Sequence, residues 1–117
     1  MKPITFAGNF VFLNVSRLYR VGMSEAELYD ITRQAWRVAP CRRERVQYAA
    51  AVQGGLVRAV YRVRRWRPCA VPKLAGRWEF EQAAPEAGLR ERYVGQPAAP
   101  YMPPGSRFVV QYNFECR

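Results

Sequence analysis

The sequence contains no histidine, only two lysines and only three cysteines in 117 residues. Without an imidazole there is no Ser-His-Asp or Cys-His catalytic pair, no histidine metal ligand and no imidazole pH switch. Acidic residues are also scarce, with 9 Asp and Glu against 19 Lys and Arg, so the formal net charge is +10. This excess of positive charge points to an anionic partner, and nucleic acid is the first candidate.

The three cysteines, Cys41, Cys69 and Cys116, are widely spaced and form no CxxC pair. Because their number is odd and no fourth ligand is evident, we expect neither a structural zinc site nor any other cofactor. We interpret them as ordinary or partly buried thiols, as in proteins of a reducing compartment. The sequence also lacks a long apolar run and a signal-peptide pattern after Met1, which predicts a cytoplasmic protein that does not contact a membrane.

One helix has a clear local signal. Ser24 is followed three residues later by Glu27, a capping box that predicts a helix from Ser24 to Trp36. Two shorter helical segments are predicted at residues 40–45 and 85–93, and four prolines make residues 96–105 irregular.

Strands are predicted at residues 10–15, 46–52, 56–63, 76–81 and 108–114, from their β-branched and aromatic residues. In the third of these, alternation places Val57, Ala59, Tyr61 and Val63 on one face. The chain is expected to form a single domain over residues 1–117 with an α+β fold. Its sheet would be small, curved and mostly antiparallel, or a partly open β-barrel, with one main helix and one or two short helices.

Most of the positive charge lies between Arg33 and Arg67. This segment holds ten arginines and one acid, Glu44, for a net +9 of the total +10. Four aromatic residues are interleaved with them, namely Trp36, Tyr48, Tyr61 and Trp66. Arginines bind phosphates and aromatic rings stack on bases, so this composition is typical of a nucleic-acid-binding surface. The alternative is a solvated basic face whose aromatic residues belong to the core.

Enzymatic functions find less support in the sequence. A metal-dependent nuclease needs clustered carboxylates, and no such cluster stands out among the 9 acids. The glycines form no phosphate-binding loop before a helix. We therefore favour a non-enzymatic nucleic-acid-binding module. Two alternatives stay open: a protein-interaction or inhibitor module of a defence or phage system that binds an acidic protein, and a metal-free toxin that cleaves RNA.

Several segments, in this order, resemble a group of small bacterial proteins. They are FVFLNV at 10–15, YR-x-GMS at 19–24, ELYD-x-TR-x-x-W at 27–36, RVQYA-x-AV at 45–52, V-x-x-VY-x-V at 57–63, RWEF at 77–80 and RYVG at 92–95. The pattern is also similar to PUA-like small barrels, the superfamily that includes the ASCH and EVE domains. That resemblance implies binding of RNA or of a modified base in a cleft between the end of the first strand, the first helix and the barrel mouth.

Carried over by position, the resemblance implies a cleft with a defined lining. Its residues would be Ser16, Arg17, Tyr19, Arg20, Thr32, Arg33 and Trp36. Trp36 or Tyr19 would stack on an unpaired base, Thr32 would hydrogen-bond to the base edge, and the arginines would hold phosphates.

With the arginines that follow in the chain, the predicted nucleic-acid-binding residues form one set. They are Arg17, Tyr19, Arg20, Thr32, Arg33, Trp36, Arg37, Arg42, Arg43 and Arg45. No catalytic and no metal-binding residue is predicted. The partner is expected to be DNA or RNA, and the protein a monomer or a homodimer formed through an edge strand at 108–114.

Overall fold

Five strands form one mixed sheet in the computed structural model, which describes residues 5–116 of the chain. The elements are β1 (Phe10–Asn14), α1 (Glu25–Thr32), α2 (Pro40–Arg45), β2 (Tyr48–Gln53), β3 (Leu56–Pro68), a 3-10 turn (Pro72–Leu74), β4 (Trp78–Gln82), α3 (Leu89–Tyr93) and β5 (Val110–Tyr112). The predicted α+β class is confirmed. The expectation about a targeting segment concerns Met1–Ile4, which lies outside the described residues.

The strands are arranged in the order β4-β3-β2-β1-β5. β1 and β2 are parallel, whereas the other three pairings are antiparallel. Parallel neighbours need a long crossover connection, which residues 15–47 provide through α1 and α2. Within residues 5–116 the edge strands β4 and β5 do not pair with each other, so the sheet stays open rather than closing into a barrel.

Helix α1 begins as predicted and ends early. The Ser24 hydroxyl accepts a hydrogen bond from the Glu27 N–H at 3.1 Å, and the Glu27 carboxylate accepts one from the Ser24 N–H at 3.1 Å. The helix ends at Thr32 instead of reaching Trp36. Trp36 instead forms a bridge to the first residue of β4, because its backbone exchanges hydrogen bonds of 2.9 and 2.8 Å with that of Trp78. The chain therefore leaves the helix to cover the outer edge of β4.

Strand β3 contains a bulge that changes which face its side chains occupy. Ala51 pairs with Ala59 and Val52 pairs with Val57, so Arg58 is an extra residue in the ladder. Val57 consequently packs on one face of the sheet and Ala59 on the other. The prediction that both share a face is wrong, since the alternation of two does not hold across a bulge. β3 also extends to Pro68, beyond the predicted end at residue 63, because β4 pairs along this part.

Each face of the sheet is covered by its own apolar cluster. One cluster contains Phe10, Phe12 and Val57 and is closed by α3 and the segment around Met102. The other contains the residues between them in β1, Val11 and Leu13, and is closed by α1 and the segment that follows it. β1 is thus buried on both faces, which explains why it is a continuous apolar run in the sequence.

The C-terminal segment corrects the interpretation of the cysteines. Cys41 and Cys116 form a disulfide with their Cα atoms 6.0 Å apart, and only Cys69 is a free thiol. The interpretation of all three as thiols is therefore wrong for two of them. The reason is tertiary, since pairing of β5 with β1 brings Cys116 back to α2 across 75 residues. The terminal strand is also shorter than predicted, Val110–Tyr112.

Candidate functional site: an arginine-lined cleft

A cleft of about 960 Å³ opens where β1 and β2 end. Asn14 and Val15 contribute the end of β1, and Val52 and Gln53 contribute the end of β2. In open sheets of α/β proteins, ligands bind outside the carboxyl ends of parallel strands. The cleft occupies the corresponding position at the one parallel pair of this sheet.

The lining combines an apolar part with three cations. Met102 and Trp36 belong to the apolar part, and both are largely buried. Arg17, Arg77 and Arg107 supply positive charge from three separate segments of the chain. Among the described lining residues there is no Asp or Glu. An anion entering the cleft therefore meets arginine forks without a competing carboxylate in the lining.

Asn14 connects two walls of the cleft. Its side-chain oxygen accepts a hydrogen bond from the Ser16 N–H at 3.0 Å. Its side-chain nitrogen donates to the carbonyl oxygens of Ser106, at 3.3 Å, and Phe108, at 3.0 Å. The loop that follows β1 and the segment that precedes β5 are consequently held in one arrangement.

Two further arginines lie close to the cleft. Arg58, the bulge residue, donates from Nε to the side-chain oxygen of Gln53 at 3.1 Å, and Gln53 lines the cleft. The Arg37 guanidinium lies beside Gly76, the residue that precedes Arg77. A Cβ placed on Gly76 would stand 3.5 Å from the Arg37 Nη1 atom. Across residues 5–116, none of the ion pairs involves these two arginines or the three in the lining.

A second group of arginines, beside β4, is bound to carboxylates. Arg33 bridges Asp30, at 2.9 Å, and Glu79, which is only 7% exposed. Glu81 receives three arginines, Arg64 at 3.4 Å, Arg65 at 2.9 Å and Arg67 at 4.0 Å. The hydrogen bond from Arg65 holds the pKa of the Glu81 carboxyl below its ordinary value. Four of the ten arginines between residues 33 and 67 are therefore paired with carboxylates within the described part of the fold.

Two of the ten predicted binding residues, Arg17 and Trp36, line the cleft, together with Ser16 from the expected lining. Trp36 is 8% exposed, and its indole N–H donates to the Thr32 carbonyl at 2.7 Å. Thr32 lies in the core, where its hydroxyl donates to the Leu28 carbonyl at 2.7 Å. The suggested base contacts of Thr32 and Trp36 stay predictions.

The other predicted residues are distributed over the surface. Tyr19 lies under the Arg58 guanidinium, 5.3 Å from the ring centroid, and Arg20 pairs with Glu27 at 3.1 Å. Arg33 and Arg37 have the positions given above. Arg42 lies 4.2 Å from the Tyr112 ring centroid, and Arg43 lies 3.6 Å from that of Trp78. Arg45 is exposed at the end of α2. The fold does not gather all ten into one surface.

Three residues that line the cleft were not predicted from the sequence, namely Asn14, Arg77 and Arg107. One signal for Asn14 is the long connection between β1 and β2, which favours a parallel pair and a site at its carboxyl end. Arg77 and Arg107 carry no local signal, because they stand at the ends of irregular segments that only the tertiary fold brings to the cleft.

No family model matches the chain, and neither does any curated protein or solved structure. Within the described part of the chain, no three His, Cys, Asp or Glu side chains gather into a possible metal site. None of the helices in that part has the length and apolarity that a bilayer crossing requires.

Proposed function

We propose that the protein is a nucleic-acid-binding module and that its cleft holds the phosphate backbone of an RNA or DNA strand. The observation that carries this proposal is the convergence of Arg17, Arg77 and Arg107 on a lining without a described carboxylate. Arginine binds phosphate through two parallel hydrogen bonds, and exclusion of competing acids keeps that capacity available for the ligand.

The shape of the cleft supports a nucleotide-sized ligand. Its volume of about 960 Å³ is near the upper end of the range of small-molecule sites. The exposed apolar side chains of the lining, Leu18 and Val109, offer contact to a base or sugar while the arginines contact phosphates. The resemblance to PUA-like barrels supports the same location, since its implied lining shares Ser16, Arg17 and Trp36 with this cleft.

Arg58 and Arg37 extend the positive surface beyond the cleft, so a bound strand would contact up to five arginines. For single strands, each neutralised phosphate contributes about 0.7 to the slope of log affinity against log salt. Five contacts predict a slope of about −3.5.

The test is fluorescence anisotropy with labelled single-stranded RNA and DNA at several salt concentrations. The variant Arg17→Gln/Arg77→Gln/Arg107→Gln is compared with the matched variant Arg64→Gln/Arg65→Gln/Arg67→Gln, since both remove three positive charges. The cleft variant should lose about 100-fold in affinity and about 2 units of salt slope. The matched variant should lose under about 5-fold, because its arginines are already neutralised by carboxylates.

Equal losses in the two variants would mean that net charge, and not the cleft, binds the strand. Absence of binding by the unmodified protein at low salt would overturn the proposal altogether. Gel analysis of the RNA recovered from the same samples tests the RNA-cleaving alternative, which requires shortened products.

A second candidate function is binding of an acidic protein, and the rim of the cleft favours it. Leu18 and Val109 line the cleft and are 61% and 59% exposed. Exposed apolar side chains beside arginines are typical of protein interfaces. A pull-down from nuclease-treated extract would support this candidate if a specific acidic protein is retained by the unmodified chain and lost with the cleft variant.

A further inference from the structure

The Cys41–Cys116 disulfide joins α2 to the segment that follows β5. Both cysteines are partly exposed. The bond closes a loop of 75 residues and is the covalent attachment of the C-terminal end to the body of the fold.

The remaining attachments of this end are non-covalent, and they include packing of Val110, Tyr112 and Phe114 against one apolar cluster. β5 forms only three residue pairs with β1. An Arg42 N–H donates to the Phe114 carbonyl, and the Arg42 guanidinium stacks on the Tyr112 ring at 4.2 Å. Asn113 donates to the Gly8 carbonyl at 2.9 Å and accepts from the Phe10 N–H at 2.7 Å. A short edge strand with such contacts belongs to the less stable part of a structure.

The same C-terminal end forms one wall of the cleft. Arg107 and Val109 both line the cleft, and Val109 directly precedes β5. The Val109 carbonyl accepts a hydrogen bond from the Asn14 N–H at 2.9 Å. If β5 is held less firmly, the adjoining wall residues Arg107 and Val109 are therefore held less firmly too.

We propose that the Cys41–Cys116 disulfide is a thiol-sensitive clasp on the arginine-lined cleft, and that its reduction weakens binding of nucleic acid. The proposal rests on the proposed function, because its readout is the affinity for a strand. With the clasp open, β5 detaches more often, Arg107 is held less firmly, and the wall of the cleft is formed for a smaller fraction of the time.

The chemistry is thiol–disulfide exchange with a thiol reductant. A thiolate of the reductant attacks one sulfur of the bond, which forms a mixed disulfide and releases the other cysteine as a thiolate. A second thiol of the reductant then attacks the mixed disulfide. The products are two protonated cysteines and the oxidised reductant, so two electrons and two protons pass to the protein.

The experiment compares the oxidised protein with protein reduced by dithiothreitol. On the same samples it measures the affinity for labelled single-stranded RNA and the rate of amide hydrogen exchange. Reduction should lower the affinity about fivefold and the salt slope by about 0.7, the loss expected for one arginine contact to a single strand. Exchange should accelerate at residues 109–113 and stay slow in β2 and β3. The variant Cys41→Ser/Cys116→Ser should bind like the reduced protein and ignore dithiothreitol, whereas Cys69→Ser should keep the full response.

Each outcome decides between the two proposals. If the oxidised protein binds neither this RNA nor a labelled single-stranded DNA, the proposed function fails. If it binds, and reduction accelerates exchange in β5 without changing the affinity, only the clasp proposal fails. It also fails if residues 109–113 stay protected after reduction. General loss of protection in β2 and β3 would overturn it too, because the disulfide would then stabilise the whole fold and not this wall.

Discussion

The arginines of the cleft and the arginines beside β4 have the same side chain and opposite surroundings. Beside β4, Arg33 and Arg65 bind the carboxylates of Glu79 and Glu81. In the cleft, Arg17 and Arg107 share a lining without a described acid. The first group is engaged by the protein itself, and the second is available to a ligand.

Charge density along the chain and the cations of the cleft lining therefore fall in different parts of the sequence. Ten of the 17 arginines lie between residues 33 and 67, yet the three in the cleft lining all lie outside that segment. Strand β4 provides the reason, because Glu79 and Glu81 face the arginines of β3 in its register. What matters for binding is the charge left after internal pairing.

The largest expected effect on stability comes from removing Arg33, the close partner of the nearly buried Glu79 carboxylate. Arg33→Met leaves Glu79 with only the weaker contact to Arg67 at 3.5 Å. A nearly buried carboxylate without a close partner should lower the free energy of unfolding by about 2–3 kcal/mol. Urea unfolding measures it, with Arg107→Met as the control, for which a change under about 0.5 kcal/mol is expected. Equal losses in the two variants would contradict the division into engaged and available arginines.

Replacement of a tryptophan in each region should have a smaller effect on the free energy of unfolding. The Trp36 indole N–H in the cleft donates to the Thr32 carbonyl at 2.7 Å, whereas the buried Trp66 indole N–H has no partner among the described residues. Trp36→Phe should cost about 1–2 kcal/mol through the lost hydrogen bond and volume. Trp66→Phe should cost less, since the removal of an unsatisfied donor offsets part of the lost packing. The same urea series compares the two variants, and the reverse order would refute this account of Trp66.

The smallest expected effect is a change in the pKa of the Glu81 carboxyl, which is paired with arginines. The Arg65 hydrogen bond lowers the Glu81 pKa from 4.5, so the associated stability is present above the ordinary pKa and disappears as the pH falls through the lowered one. Arg65→Gln should raise the Glu81 pKa toward its ordinary value, and Arg17→Gln should leave it unchanged. Carbon-detected NMR titration of the carboxyl group measures both. An unchanged pKa in Arg65→Gln would show that this ion pair does not form in solution.

Local patterns predicted much of the fold. The capping box at Ser24, the helical turn at 40–45 and the strands predicted at 46–52 and 56–63 all depend on neighbouring residues, and all are present, the strands as β2 and β3. The features that were wrong depend on distant partners. Trp36 leaves α1 to pair with Trp78, and the bulge at Arg58 follows from the register between β2 and β3.

The cleft was only partly predictable for the same reason. Arg17 was predicted only through the resemblance to PUA-like barrels, which implies a cleft at the end of the first strand. Arg77 and Arg107 stand 30 positions apart along the chain and reach the cleft through the pairing of β4 with β3 and of β5 with β1. No local pattern contains that information.

The sequence by itself determined the α+β class, the excess of arginine and the absence of imidazole chemistry, because these depend on composition and on short-range preferences. Only the tertiary structure decided that Cys41 meets Cys116, that β1 and β2 are parallel, and which arginines remain without carboxylates. These properties depend on which distant segments become neighbours. Strand register and burial set those contacts across the whole chain.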